Sequence, residues 1–201
     1  YGAPQEKKNL KEFVDKIREP VKKNVEMFLS SDGASLGIFE LPEITNTKAT
    51  LRATELYLSS IMDWARNNRR ARRVLIVLEE AHTIIPETAG AGFDYDTQWV
   101  VGRISQIALQ GRKYRVGLLL VSQRTALVSK SILSQCNTYI SFSLVDKTSM
   151  DYLANVYSSA HVQSIPNLRF LEAVAYGKAI RSERPILIKL DYVEEKKTAS
   201  E

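Results

Sequence analysis

The chain alternates short, uninterrupted apolar runs with segments whose apolar residues recur at helical spacing. The apolar runs predict strands at 74–78, 116–124, 138–145, 172–176 and 185–190, and the helical segments predict helices at 97–110, 125–135 and 147–157. Continuous apolar strands alternating with helices are typical of strands buried on both faces of a sheet. We therefore predict an α/β fold with a mostly parallel sheet flanked by helices.

The first 69 residues have helical spacing instead. One apolar stripe includes Leu10 and Ile17 and a second includes Val21 and Phe28, so we predict two helices within 8–30 that are separated at Pro20. The polar segment 31–49 reads as a connection with a short strand at 36–41, and a third helix is predicted over 50–69. The sheet is thus expected to have an N-terminal helical extension.

Two adjacent acids, Glu79 and Glu80, follow directly on the predicted strand 74–78. Ligands of parallel sheets bind at the carboxyl ends of the strands. The acids could simply be solvated charges in the following turn. However, four or five aliphatic residues followed by two acids, a small residue and a histidine form the Walker B pattern of nucleotide hydrolases, in which one carboxylate holds magnesium and the next polarises the attacking water.

The second long apolar strand ends in a similar way, with Ser122, Gln123 and Arg124. A polar side chain at this position can hydrogen-bond the γ-phosphate or the attacking water. Taken alone, Gln123 could equally begin an ordinary loop. The presence of polar groups after two such strands favours a shared nucleotide site.

Composition narrows the class of protein. The chain has 201 residues, 44% of them hydrophobic, which is enough for one sizeable core. Its formal net charge of +5 permits nucleic-acid binding without requiring it. Cys136 is the single cysteine and suits a reducing compartment, and we predict a cytoplasmic protein without a membrane segment or signal peptide.

Four ordered segments resemble the C-terminal half of the HerA ATPases, hexameric DNA translocases and helicases of the HerA–FtsK superfamily in archaea and bacteria. They are VLIVLEEAH, GRISQIALQGRKYRVGLLLVSQR, SILSQCNTYISFSLVD and IPNLRFLEAVAYGKAIRSERPILIKL. The resemblance covers about 50–190 and implies the C-terminal half of a RecA-like P-loop ATPase domain. Residues 1–49 are then a helical segment peripheral to the core, and 191–201 a charged, disordered tail.

The resemblance also assigns residue roles. Glu79 falls at the metal-associated acid, which is more often Asp in this family, and should reach magnesium through water. Glu80 matches the catalytic glutamate and Gln123 the polar sensor. Such hexamers also insert an arginine into the neighbouring subunit's nucleotide site, and the two candidates are Arg112, which we favour, and Arg103.

Three further residues are expected to line the nucleotide site. Ser122 and Arg124 flank the sensor position, and His82 completes EEAH, where it would orient Glu80 or contact the nucleotide rather than bind zinc. His161 has no comparable set of neighbours in the sequence and is expected at the surface. The cofactors implied by the resemblance are ATP and magnesium.

A Gly-rich phosphate loop ending in Gly-Lys-Ser/Thr does not occur in the 201 residues. The nearest string, YGKAI at 176–180, has no upstream glycine and no hydroxyl after Lys178, and it matches the family's C-terminal segment instead. We expect this chain to be a C-terminal fragment whose phosphate loop precedes Tyr1, rather than a degenerate relative. This chain alone is predicted to be inactive as an ATPase.

The resemblance implies double-stranded DNA as substrate, a homohexamer in the full-length protein and a NurA-type nuclease as partner in DNA end processing. The arginine-rich run 66–73 could bind DNA or simply be solvated, and the loop 86–97 could line a central pore or be disordered. Two alternatives remain: a conjugation- or secretion-type motor, or a non-catalytic scaffold domain with the same fold.

Overall fold

The computed structural model describes residues 4–30, 35–40, 47–69, 72–88 and 92–192. The elements, in chain order, are α1 (Pro4–Ser30), α2 (Thr47–Asn67), β1 (Val74–Leu78), α3 (Ala81–Ile84), α4 (Tyr95–Gln110), β2 (Val116–Leu120), α5 (Lys130–Leu133), β3 (Thr138–Ser141), α6 (Lys147–Leu153), α7 (Ser159–Ser164), β4 (Glu172–Gly177) and β5 (Ile186–Lys189). They fall into two compact units, Tyr1–Gln123 with Leu127–Leu133, and Arg124–Ala126 with Ser134–Glu201. No helix in the described ranges is long and apolar enough to cross a membrane.

The N-terminal region forms one helix where two were predicted. Pro20 lies inside α1 and removes one backbone donor, yet the helix continues to Ser30. The reason is the side-chain pattern, because Val21, Val25 and Leu29 recur every four residues and are all buried. The helix packs along α2, so tertiary contacts on both sides of Pro20 outweigh the break that proline favours.

The strand predicted at 36–41 was also wrong over its described part. Residues 36–40 have no regular structure, and Leu41 lies outside the described residues. Phe39 instead places its ring 4.5 Å from the ring of Tyr57 on α2. A short apolar run bounded by polar residues therefore packs through side chains here without pairing as a strand.

The first unit contains the parallel pair that the apolar runs predicted. β1 and β2 pair in register from Val74 with Val116 to Leu78 with Leu120. Leu78 and Val116 are buried, as are Met62 of α2 and Ile104 of α4. β2 ends at Leu120 rather than at 124.

The second unit differs from the predicted parallel arrangement. β3, β4 and β5 form an antiparallel sheet in that order. The connection 178–185 between β4 and β5 is too short for the crossover of a dozen or more residues that parallel neighbours require. The core of this unit is a cluster of Leu153, Tyr157, Val162, Ile165 and Val174.

Several element boundaries are tighter than predicted. The helix expected at 125–135 is a single 3₁₀ turn, Thr125–Leu127, followed by the four-residue α5. The strand expected at 138–145 ends at Ser141, and the helix expected at 147–157 ends at Leu153. Of the tail predicted to be disordered, residues 193–201 lie outside the described residues.

Candidate active site

The carboxyl edge of the parallel pair is held together beyond the ends of the strands. Val121 N–H donates to the Leu78 carbonyl at 3.0 Å, and Ala81 N–H donates to the Val121 carbonyl at 2.9 Å. Ala81 is fully buried. These two bonds continue the pairing beyond the strand ends, to Val121 on one segment and to Ala81 on the other, and they hold Glu79, Glu80, Ser122 and Gln123 at one edge of the sheet.

Glu80 occupies a strained turn between β1 and α3. Its φ is 48° and its ψ 46°, the left-handed region that residues with a Cβ rarely adopt. Two bonds from one residue fix its carbonyl, since Thr83 donates to it from both the backbone N–H, at 2.8 Å, and Oγ1, at 2.9 Å. The backbone is therefore rigid while the carboxylate projects outward, with 55% of the side chain exposed.

His82 brings the two strand ends into contact. Its Nδ1 lies 3.3 Å from Glu80 Oε2 and 3.1 Å from Ser122 Oγ, and its side chain is largely buried. A carboxylate can only accept hydrogen bonds, so an attractive contact with Glu80 requires the proton on Nδ1. The structure thus joins three of the predicted site residues, one of them from the neighbouring strand.

The other acids and amides are placed at the same edge but point to solvent. Glu79 and Gln123 are both exposed. Gln123 follows Ser122 directly and belongs to the first unit, whereas Arg124 belongs to the second unit. The edge therefore presents two carboxylates, an imidazole, a hydroxyl and an amide to solvent, all of them groups that can handle a water molecule and a phosphate.

The donor set fits magnesium better than zinc. Within the described residues, no group of three or more His, Cys, Asp or Glu side chains is close enough to hold a metal ion alone. Magnesium in nucleotide hydrolases is commonly bound by one or two carboxylates together with substrate phosphates and water. Glu79 and Glu80 can supply that share of the ligands.

The two candidate arginines have different environments. Arg103 on α4 is engaged within its own subunit: its Nε lies 3.7 Å from Glu55 Oε1 and its guanidinium carbon 5.8 Å from the centre of the Trp99 ring. Arg112 is exposed in the 3₁₀ turn Gly111–Tyr114, which precedes β2. It lies at the amino edge of the sheet, on the order of 20 Å from Glu80 at about 3.3 Å per strand residue.

The segment YGKAI (176–180) has a structural role in the sheet of the second unit. Gly177 has a φ of 123°, and a Cβ there would come within 2.2 Å of the Asn137 carbonyl oxygen. The following N–H groups of Lys178 and Ala179 already donate to Asn137 O and Thr138 Oγ1. This glycine is required for close backbone approach, and its neighbouring donors are not available to a phosphate.

Sequence reasoning missed the residues that position the predicted ones. Thr83, Glu55 and Trp99 give no motif, and Glu80 in a left-handed turn has no signal because Gly or Asn is the residue expected there. The loop predicted at 86–97 is three residues shorter than expected, because α4 begins at Tyr95; Asp94 caps this helix and pairs with Lys48 at 2.6 Å. Residues 89–91 lie outside the described residues.

Comparison with known proteins finds HerA helicases among the relatives of this chain. The chain is 35% identical over 120 residues to the DNA double-strand break repair helicase HerA of Pyrococcus furiosus, covering 58% of this chain and 20% of that protein. It is 29% identical over 154 residues to HerA of Sulfurisphaera tokodaii, covering 72% and 29%. The chain thus spans less than a third of the length of these relatives. No family model matches it.

Solved structures with the same fold include a genome-packaging NTPase and VirB4, both at low sequence identity. The genome-packaging NTPase B204 of Sulfolobus turreted icosahedral virus 2, in complex with sulfate, aligns with a TM-score of 0.56 and 12% identity, covering 82% of this chain and 78% of that one. VirB4 of Thermoanaerobacter pseudethanolicus aligns with a TM-score of 0.56 and 14% identity, covering 77% and 40%. The resemblance to HerA-type ATPases and the RecA-like α/β core are therefore confirmed.

Proposed function

We propose that this chain is the C-terminal part of an ATP-driven DNA translocase or helicase that acts in DNA end processing and repair. The observation that supports it most is the contact of Glu80 and Ser122 through His82 at the carboxyl edge of two adjacent parallel strands. The similarity to HerA helicases supports DNA as the polymer. In this proposal, 50–190 is the C-terminal half of the ATPase domain and 1–49 is peripheral to it.

The proposed chemistry assigns each group at the edge one task. Glu80 accepts a proton from, or polarises, the water that attacks the γ-phosphate, and His82 fixes the orientation of its carboxylate. Glu79 binds magnesium through water, and that ion, when bound, supplies charge neutralisation at the phosphate oxygens. Gln123 and Ser122 hydrogen-bond the water or the γ-phosphate, and Arg124 contacts the nucleotide.

The trans-acting arginine is Arg112 in this proposal. Arg103 is already engaged with Glu55 and Trp99, and withdrawing it would leave the largely buried Glu55 carboxylate without that cation. Arg112 is too far from Glu80 to act within one subunit, but it is exposed, as insertion into a neighbour's site requires. Oligomerisation, as a hexamer, is therefore part of the proposed mechanism.

In this proposal the phosphate loop lies in another part of the protein, because the 201 residues contain no Gly-rich loop ending in Gly-Lys-Ser/Thr. We therefore expect this chain alone to bind ATP weakly and not to hydrolyse it. Double-stranded DNA and a NurA-type nuclease are the proposed partners of the full-length protein.

The test is DNA-stimulated ATP hydrolysis by the full-length protein, compared with its Glu80→Gln variant. Glutamine keeps the size of the side chain but cannot accept the proton, so we expect kcat to fall at least about 100-fold, with the oligomer unchanged in light scattering. A Glu26→Gln variant, altered on the exposed surface of α1, is the matched control.

The alternatives give different results in the same assay. Hydrolysis that is unaffected by Glu80→Gln would indicate a scaffold domain. Hydrolysis that is lost in Glu80→Gln but never stimulated by DNA would indicate a motor for another polymer, such as a secretion-type ATPase.

A further inference from the structure

Basic side chains collect at the amino edge of the parallel pair, opposite the acids. Arg73 directly precedes β1 and Arg115 directly precedes β2, and the register of Val74 with Val116 places these two arginines next to each other. Lys113 lies in the turn before β2 and Arg69 follows the end of α2. These four residues, all exposed, are called the basic edge.

Acidic residues are missing from the chain segments that form this edge. Residues 64–78 and 97–120 contain no Asp or Glu. Asp63 pairs with Arg66, one turn before Arg69. A bound polyanion would therefore meet several exposed cations here and no carboxylate from these two segments.

The turn that presents the basic edge is strained and closely packed. Arg115 has a φ of 61°, and its carbonyl accepts from Val74 N–H at 3.0 Å. A Cβ at Gly111 would come within 2.6 Å of the Val116 carbonyl oxygen, so only glycine allows the turn to fold back. Backbone strain of this kind is concentrated at functional sites.

An aromatic ring orders the neighbouring cations. The guanidinium carbons of Arg66 and Arg69 lie 5.6 and 5.9 Å from the centre of the Tyr114 ring. Arg66 also donates to Gln110 Oε1 at 3.0 Å, which ties the end of α2 to the end of α4. The basic edge is therefore a surface formed by two chain segments, the end of α2 with the start of β1 and the end of α4 with the turn before β2. In the sequence alone, only the run of arginines at 66–73 was visible.

We propose that the basic edge binds the phosphate backbone of double-stranded DNA. Exposed Arg and Lys side chains on segments that contain no Asp or Glu suit phosphate contacts that are independent of base sequence. The choice of DNA among polyanions rests on the proposed function. The location of the surface rests only on the geometry of this edge.

This placement has a mechanical consequence. The basic edge and Glu80 lie at opposite ends of β1 and β2, on the order of 20 Å apart. A shift of either strand along its axis would move both ends together.

The test uses the full-length protein and a labelled 30-base-pair duplex of mixed sequence. The variant combines Arg73→Gln, Lys113→Gln and Arg115→Gly, where glycine also relieves the positive φ so that loss of binding is not caused by misfolding. Lys11→Gln, Lys16→Gln and Lys23→Gln together form the control, because they remove the same charge from exposed positions of α1.

We expect the edge variant to bind at least about tenfold more weakly than the wild type. The slope of log K against log salt should also fall by about 0.9 for each phosphate contact removed. The control should lose much less affinity for the duplex. Basal ATP hydrolysis is measured alongside, because Lys113 lies in the turn that carries Arg112 and Arg115 directly follows it. If the protein proves to have no ATPase activity, the same binding result still supports the basic edge.

Three results would overturn the inference. The first is an unchanged affinity and salt slope in the edge variant. The second is an equal loss in the α1 control, which would mean that only net charge matters. The third is a loss of basal hydrolysis with unchanged DNA affinity, which would assign the edge to a neighbouring subunit's nucleotide.

Discussion

Glu80 holds its carboxylate on a left-handed backbone, a conformation that costs a residue with a Cβ on the order of 1–3 kcal/mol. The cost is sustained by the two hydrogen bonds from Thr83 to the Glu80 carbonyl and by the fully buried Ala81 beside it. The strain and the neighbouring histidine hold the Glu80 carboxylate in a defined position, which suits the proposed role of an oriented base.

Replacing Glu80 should therefore separate stability from activity. We expect Glu80→Gly to raise the free energy of unfolding, by up to about 1 kcal/mol, because glycine adopts a positive φ without strain. The same variant should lose ATP hydrolysis in the full-length protein. Thermal unfolding and kcat measured on one preparation check both effects.

Glu80→Gln is the comparison that isolates the backbone effect, since it removes the charge but keeps the Cβ. It should lose hydrolysis without becoming more stable. Equal stability of the Gly and Gln variants would argue that the turn is relaxed in solution.

At the scale of the element, α4 begins at a cap that also closes an ion pair. Asp94 accepts from Thr97 N–H at 2.8 Å and pairs with Lys48 Nζ at 2.6 Å. The hydrogen bonds from Lys48 and then Thr97 hold the pKa of the Asp94 carboxyl well below its usual range. This cap fixes the start of the helix that carries Arg103 and packs against α2.

Removing this cap should lower stability in a pH-dependent way. Asp94→Ala should reduce the free energy of unfolding by about 1 kcal/mol at pH 7, and Asp94→Asn by less because asparagine still caps. Since the folded pKa is depressed, the Asp94 carboxylate stabilises the protein above its unfolded pKa of about 3.9, and this contribution is lost as the pH falls below it.

Chemical unfolding at pH 7 and at pH 3 checks this prediction. The difference between wild type and Asp94→Ala should shrink at the lower pH. A difference that stays constant between the two pH values would show that the charge of Asp94 has no part in the cap.

Elements with long apolar runs were predicted correctly from the sequence. Predictions were wrong where strand pairing or tertiary contacts determine the structure. β1 and β2 were found because five consecutive apolar residues leave few alternatives. The antiparallel direction of β4 and β5 is not encoded in their hydrophobicity, although the short connection 178–185 already indicated it. Pro20 led to a wrong prediction because its tendency to break a helix is weaker than the packing of the buried residues Val21 and Val25.

The positions of the acidic residues in the candidate site could be predicted from the sequence, but the contacts between the site residues could not. The positions of Glu79, Glu80 and Gln123 follow from strand ends, which are visible as the end of an apolar run. The contact of His82 with Ser122 depends on the register of two strands that lie 40 residues apart. Nothing local to either residue specifies that register.

At the scale of the whole molecule, one face of the parallel pair remains open. Leu75 and Val77 of β1 are 63% and 46% exposed, and Leu119 and Val121 on the neighbouring segment are 46% and 41% exposed. The register places these side chains on one face, opposite the face that includes Leu78 and Val116. Contiguous apolar surface of this kind marks an interaction site or causes association.

We therefore expect the isolated chain to self-associate as its concentration rises. Val77→Thr and Val121→Thr together keep the shape and strand preference of the side chains but add two hydroxyls, so they should weaken association severalfold. Light scattering over a range of concentrations measures this. Met27→Thr, at an exposed apolar position on α1, should leave association unchanged, and a monomeric wild type would contradict the prediction.

Glu80 is proposed to act in hydrolysis and not in nucleotide binding, so the most direct measurement separates the two steps. In the full-length protein, Glu80→Gln should bind radiolabelled ATP with magnesium as tightly as the wild type, yet a single turnover of the bound nucleotide should be slowed at least about 100-fold. A single-turnover rate equal to that of the wild type, with ATP bound equally well, would contradict the assignment of Glu80 as the catalytic base.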